Sequence, residues 1–166
     1  MSRPVHVDDV LRDVATRLLG LVWAEEDSLS GDVFKHITAP GVRPTDTMIE
    51  EMATNVPAAV VFDGGSRYPH PAAMIEAQRT RIGIVVIASS PRDQFGEADA
   101  LDAGEGLYAV FKKVLNAFFY IKDPVSGDAM YLTADSAPTP IKSSNGGLSY
   151  KVLEVVVEHL ILADDE

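Results

Sequence analysis

Apolar positions in this chain of 166 residues follow two periods. Near the start, Val7, Val10, Leu11, Val14, Leu18, Leu21 and Val22 recur at three- and four-residue steps. That spacing lays one apolar stripe along a helix. Asp8 and Asp9 sit in its first turn, where the positive end of the helix dipole favours them. Trp23 is expected to close the same face. At the other end, residues 150–162 read YKVLEVVVEHLIL, with neither Gly nor Pro. An ordinary strand has about five or six residues. At about 3.3 Å per residue this one would reach roughly 40 Å, across a domain whose radius of gyration is near 15 Å. It is expected to organise a sheet on which the rest packs.

The segments between are read from the same periods and from their punctuation. Residues 25–44 carry Gly31, Pro40, Gly41 and Pro44 and read as a connector, with one short element around Val33 to Ile37. A second helix is expected from Asp46 to about Ala53, where Thr47 and Glu50 have capping-box spacing. Pro57 marks a switch to extended chain. Ala58 to Phe62 reads as a strand ended by Asp63-Gly64-Gly65. Residues 63–80 then read as a long loop, in which Tyr68-Pro69-His70-Pro71 favours an extended or turning path. Arg81 to Ser89, with IGIVVIA at its centre, predicts a strand buried on both faces. Residues 91–106 are polar and acidic and read as a loop. A third helix is expected from Glu105 to Phe119, with Leu107, Val110, Phe111, Val114, Leu115 and Phe118 inward. A hairpin over 119–133 turns across 123–128. Residues 134–149, rich in Ser, Pro, Asn and Gly, read as a loop or arm. Connections this long inside a domain are usually functional, and neighbouring subunits are expected to hold this one.

The element order predicts one α+β domain over residues 1–166, with a mostly antiparallel central sheet and helices packed on one face. Composition agrees: hydrophobic residues are 46% and charged residues 23%, enough for a sizeable core. The absence of cysteine excludes disulfides, thiolate zinc sites, iron–sulfur ligation and cysteine nucleophiles, and fits a reducing compartment. The formal net charge of −11 opposes long-range attraction to DNA or to an anionic membrane. No run of 18 apolar residues occurs, and the opening MSRPVHVDDV has no signal-peptide stretch. A soluble, cytoplasmically made protein is expected.

Candidate chemistry is sparse. His6, His36, His70 and His159 include no pair at i,i+3 or i,i+4 and match no zinc motif. Gly104-Glu105-Gly106 with Ala109 imitates a dinucleotide fingerprint, but ADALDA before it is no strand, and its acids would repel a pyrophosphate. Glu25-Glu26-Asp27 and Asp164-Asp165-Glu166 read as solvated charge at a helix end and a chain end. Ser89-Ser90 has no Gly-x-Ser-x-Gly frame and reads as a strand-ending turn. The expectation is no catalytic residue, no metal ligand and no cofactor.

Six stretches carry a resemblance: VDDVLRDVATRLLGLVW, PAAVVF, RIGIVVIAS, GLYAVFKKVLNAF, FFYIKDPVSGDAMYL and YKVLEVVVEHLIL. In this order they resemble the tail terminator (tail completion) proteins of tailed bacteriophages, closest to the family of Mu-like prophages and contractile tails. The likeness is one of pattern and size over nearly the whole chain. It implies a structural virion protein and no enzyme. Its subunits would form a hexameric ring on the last ring of the tail tube, stop tube growth and join the tail to the head connector. The implied partners are further copies of the chain, the tail tube protein, the head–tail connector and the tail sheath. DNA would pass through the lumen without specific binding, and no membrane is involved. Assembly would take place in the bacterial host cytoplasm, and the neck of the virion would be the final location. SRYPHPAAMIEAQRTR, between the first two strands, is where this chain departs from that pattern. Two other readings stand beside it. One is another head–tail connector or tail tube subunit. The other is a small metal- or nucleotide-binding enzyme, which needs a convergent pocket with perturbed acids.

Overall fold

The computed structural model describes residues 4–24, 29–70, 75–90, 106–123, 128–144 and 147–162. The elements run α1 (Val7–Leu19), β1 (His36–Gly41), α2 (Asp46–Met52), β2 (Ala58–Arg67), β3 (Ile75–Ser89), α3 (Leu107–Phe118), β4 (Tyr120–Lys122), β5 (Ala129–Asp135), β6 (Thr139–Pro140), a 3₁₀ turn at Lys142–Ser144, and β7 (Leu148–Leu162). The strands form one sheet in the order β1-β2-β3-β7-β5-β4, with β6 also on β7. β1 runs parallel to β2, and every other pairing is antiparallel. This is a single α+β domain.

The centre of the sheet is the β3–β7 pair. Its register runs unbroken from Ile75 opposite Leu162 to Ser89 opposite Leu148. Both strands are 15 residues long. From Ile82 to Ala88 every side chain of β3 or its backbone position is buried, as the continuous apolar run predicts. The pleat sends alternate residues to opposite faces. Ile82, Ile84, Val86, Leu153, Val155 and Val157 pack on the first face, with α1 and α3 over them. Val85, Ile87, Tyr150 and Val152 pack on the second, beside Ile49 of α2 and Ile141. The two long helices therefore share a face, as expected, while the seven-residue α2 lies on the other.

Three expectations are corrected. The loop expected over 63–80 is mostly strand: β2 continues to Arg67 and β3 begins at Ile75. A bulge between Asp63 and Ser66 lets β2 pass its glycines. Gly65 takes φ 96° there, which favours glycine, and its N–H donates to Asp63 Oδ1 at 2.8 Å. The arm expected over 134–149 is in part strand, paired with its own sheet. β5 extends to Asp135, Ser136 N donates to Val152 O, and β6 pairs with Tyr150 and Ser149. Ile141 then plugs the second-face core. The cap of α2 is Thr45, not the Thr47–Glu50 pair. Thr45 has the extended backbone an N-cap requires (φ −79°, ψ 166°), and its Oγ1 accepts from Met48 N.

The short element expected at 33–37 falls at His36–Gly41 instead. It includes Pro40, which a sheet tolerates because β1 is an edge strand. No described helix is long and apolar enough to cross a membrane.

Candidate functional site

The strand register gathers polar groups at one end of the sheet, around Glu158. Ala129 and Arg79 flank Glu158 on either side. Arg79 Nε donates to Glu158 Oε1 at 2.8 Å, and Tyr131 Oη donates to the same oxygen at 2.6 Å. The two donors hold the Glu158 carboxyl below its ordinary range, the Arg79 bond counting most. Tyr131 is pushed up, chiefly because its hydrogen bond to Glu158 would be lost on ionisation. Arg79 is raised chiefly by its own hydrogen bond to Glu158.

The sign for stability follows from linkage. A lowered carboxyl pKa contributes stability above the unfolded value of about 4.5, and this is lost as pH falls through the lower folded value. The gap in unfolding stability between wild type and Glu158→Gln is therefore expected to be larger at pH 7 than at pH 3. Paired denaturant titrations would check it, and an unchanged gap would contradict it. The cluster is solvent-screened, so the difference at pH 7 is expected to be about 1 kcal/mol or less.

On the opposite pleat of the same end, His159 Nδ1 lies 2.7 Å from Asp128 Oδ1. A carboxylate only accepts, so Nδ1 carries the proton of this bond. Asp128 also borders a cleft of about 170 Å³ between α1 and the β4–β5 hairpin. Val10, Ile121, Met130 and Val157 give it apolar walls, and Asp9, Asp13, Asp123 and Asp128 an acidic rim. Asp13 pairs with Arg17 one turn along. Nearby, Gln78 is 1% exposed and ties the N-terminal segment to the sheet. Its amide accepts from Val5 N and donates to Val5 O.

Lys151 is a buried cation on the first face. Its Nζ lies 4.2 Å from the Phe111 ring centroid and 5.3 Å from that of Tyr108. Asp135 Oδ2 is 3.7 Å away. Two aromatic faces and one carboxylate compensate the charge, which fixes α3 against β7.

The sequence candidates scatter. His6 is the residue before α1, His36 opens β1, and His70 follows β2. His159 joins the polar groups at this end of the sheet, with a partner 31 residues away that no local motif signals. Ser90 Oγ is 3.0 Å from Ser149 Oγ. Ser149 and His159 are ten positions apart on one extended strand, about 33 Å, so this histidine does not activate those serines. Gly106 is the N-cap of α3 and bridges to Ser89. Residues 104–105, Glu25-Glu26-Asp27 and Asp164-Asp165-Glu166 lie outside the described residues, as does ADALDA. Among the described residues no three His, Asp or Glu side chains are grouped as a metal site.

Large apolar side chains are exposed where the sheet ends. Phe119 and Tyr120, entering the outer strand β4, are 74% and 59% exposed. Among the described residues β4 pairs only with β5, which leaves its other edge without a strand partner there. Such an edge beside exposed aromatics is a surface suited to association. No family model matches the chain, and no curated protein matches it significantly.

Proposed function

We propose that this chain is a structural virion protein of a tailed phage, the subunit of a ring that caps the tail tube. In this role it stops tube growth and presents a surface to the head connector. The observation that carries the reading is the element order: an N-terminal helix, a strand after Pro57, a long hydrophobic strand, a helix, a hairpin and a long terminal strand. That order fits the resemblance read from the sequence. The outer β4 edge with Phe119 and Tyr120 gives such a subunit a surface for its neighbours. A subunit of net charge −11 also suits a lumen through which DNA must slide without sticking.

The test is location. Electron microscopy of particles carrying a tagged copy is expected to place the tag at the head-proximal end of the tail. Particles assembled without the protein are expected to have tubes of uncontrolled length and no attached heads. A tag along the whole tube, or normal particles without the protein, would overturn the reading.

A further inference from the structure

We propose that copies of this chain join head to tail, with the arginine-bearing half of the second sheet face on one copy seated against the acidic cleft of the next. The inference rests on the reading above that the chain works as an assembling subunit, and it names the surfaces that meet.

The second-face core cluster occupies one end of the sheet. Ile49 of α2 and Ile141 pack over the end around Ile87 and Tyr150. Beyond Gly83 and Glu154 the residues on this side fall outside that core cluster, although Val156 there is buried. There the pleat places Arg67, Arg79 and Arg81 on one side, all exposed. Arg67 stands directly opposite Arg79, although like charges across a strand pair are unfavourable. Arg67 and Arg81 make no ion pair among the described residues. Leu160, on the same side, is 49% exposed. Glu154 and Glu158 share this side and Glu158 holds Arg79, which leaves Arg67 and Arg81 as its unpaired cations among the described residues.

Its complement lies on the same molecule. The cleft between α1 and the β4–β5 hairpin opens on the first face, rimmed by Asp9 and Asp13 over apolar walls. Because Ala129 pairs with Glu158, the cleft and the arginines share one end of the sheet and occupy opposite sides of it. One copy can therefore engage a neighbour through each surface at once. Contacts between two different surfaces are heterologous, and they close into a ring when the rotation permits. Complementary potentials of this kind fix register and suppress wrong partners.

Nucleic acid is the competing occupant of an arginine surface, and two features disfavour it. Glu158 sits among the arginines and holds Arg79, and the net charge of −11 repels phosphate at long range. A second copy brings the matching acids with it.

The experiment uses two full-length variants, Arg67→Glu/Arg81→Glu and Asp9→Lys/Asp13→Lys. Circular dichroism checks folding, and sedimentation velocity measures association at low and moderate salt. Wild type is expected to self-associate, more weakly as salt rises. Each variant alone is expected to associate at least about tenfold more weakly. A mixture of the two is expected to recover assembly, because every junction is then either native or charge-swapped. Folded variants that assemble alone like wild type would overturn the inference, and so would a mixture that stays dissociated. Loss of DNA binding by the arginine variant with unchanged self-association would overturn it in favour of nucleic acid. A wild type that stays monomeric also overturns it, while the capping role would still be judged separately by where the protein sits in particles.

Discussion

Gly83→Val is expected to lower folding stability by about 3 kcal/mol, the upper end of the range for overpacking a core. Gly83 lies beneath the ring of Phe62, its partner on β2. A Cβ at this position would stand 2.1 Å from Phe62 Cζ and 2.4 Å from Cε1. Real atoms do not approach so closely, so the ring must move. It is 7% exposed and belongs to the second-face core with Val60 and Val85, so moving it either exposes apolar surface or crowds its neighbours. Backbone conformation is not the reason, because this glycine has no positive φ. The check is a shift of the urea midpoint, with Gly83→Ala intermediate. A double-mutant cycle with Phe62→Ala should show strong coupling, since removing the ring removes the clash. A valine variant as stable as wild type would show that the ring has somewhere to go.

Phe118→Ala is expected to cost about 3–5 kcal/mol, the usual range for emptying a buried aromatic site. Phe118 ends α3, is completely buried, and packs in the first-face core with Val14, Leu18 and Val114. Its neighbour supplies the control. Phe119 is 74% exposed, so Phe119→Ala should change stability by no more than about 0.5 kcal/mol. Thermal or urea unfolding of the two variants separates them. Equal losses would contradict the burial of Phe118 and the exposure of Phe119. The Phe119 variant is also the direct probe of the outer β4 edge: weakened association with normal stability would tie that residue to assembly.

Much of the fold was legible because some segments bury what their pattern announces. α1 and α3 carry apolar residues at helical steps, and those residues line the first face. IGIVVIA is buried on both sides because helices and core clusters cover both sides there. The misreading of 63–80 has a physical origin. In QRTR the residues turned inward are Gln78 and Thr80, 1% and 2% exposed, and those turned outward are Arg79 and Arg81. Both sets are polar, so the alternation vanishes from a hydrophobic/polar reading. Gln78 satisfies its amide on Val5, 73 residues away, and Thr80 meets Ser66 across the strands. Such partners exist only once the sheet has formed. The arm at 134–149 was obscured similarly, because its prolines and serines suggest a loop. Ser136 and β6 nonetheless find hydrogen-bond partners on the edge of β7.

By itself the sequence determined the class, the helices, the central strands and the hairpin, because local periodicity and turn chemistry act over a few residues. It also determined the charge balance and the lack of cysteine chemistry. Tertiary structure alone decided which residues meet across long separations. It set Arg79 and Tyr131 on Glu158, joined Asp128 to His159, and put the arginines and the acidic cleft on opposite sides of one sheet end. A one-residue slip of register would exchange the two faces of a strand, so these charge surfaces belong to the pairing of strands and cannot be read from any one segment.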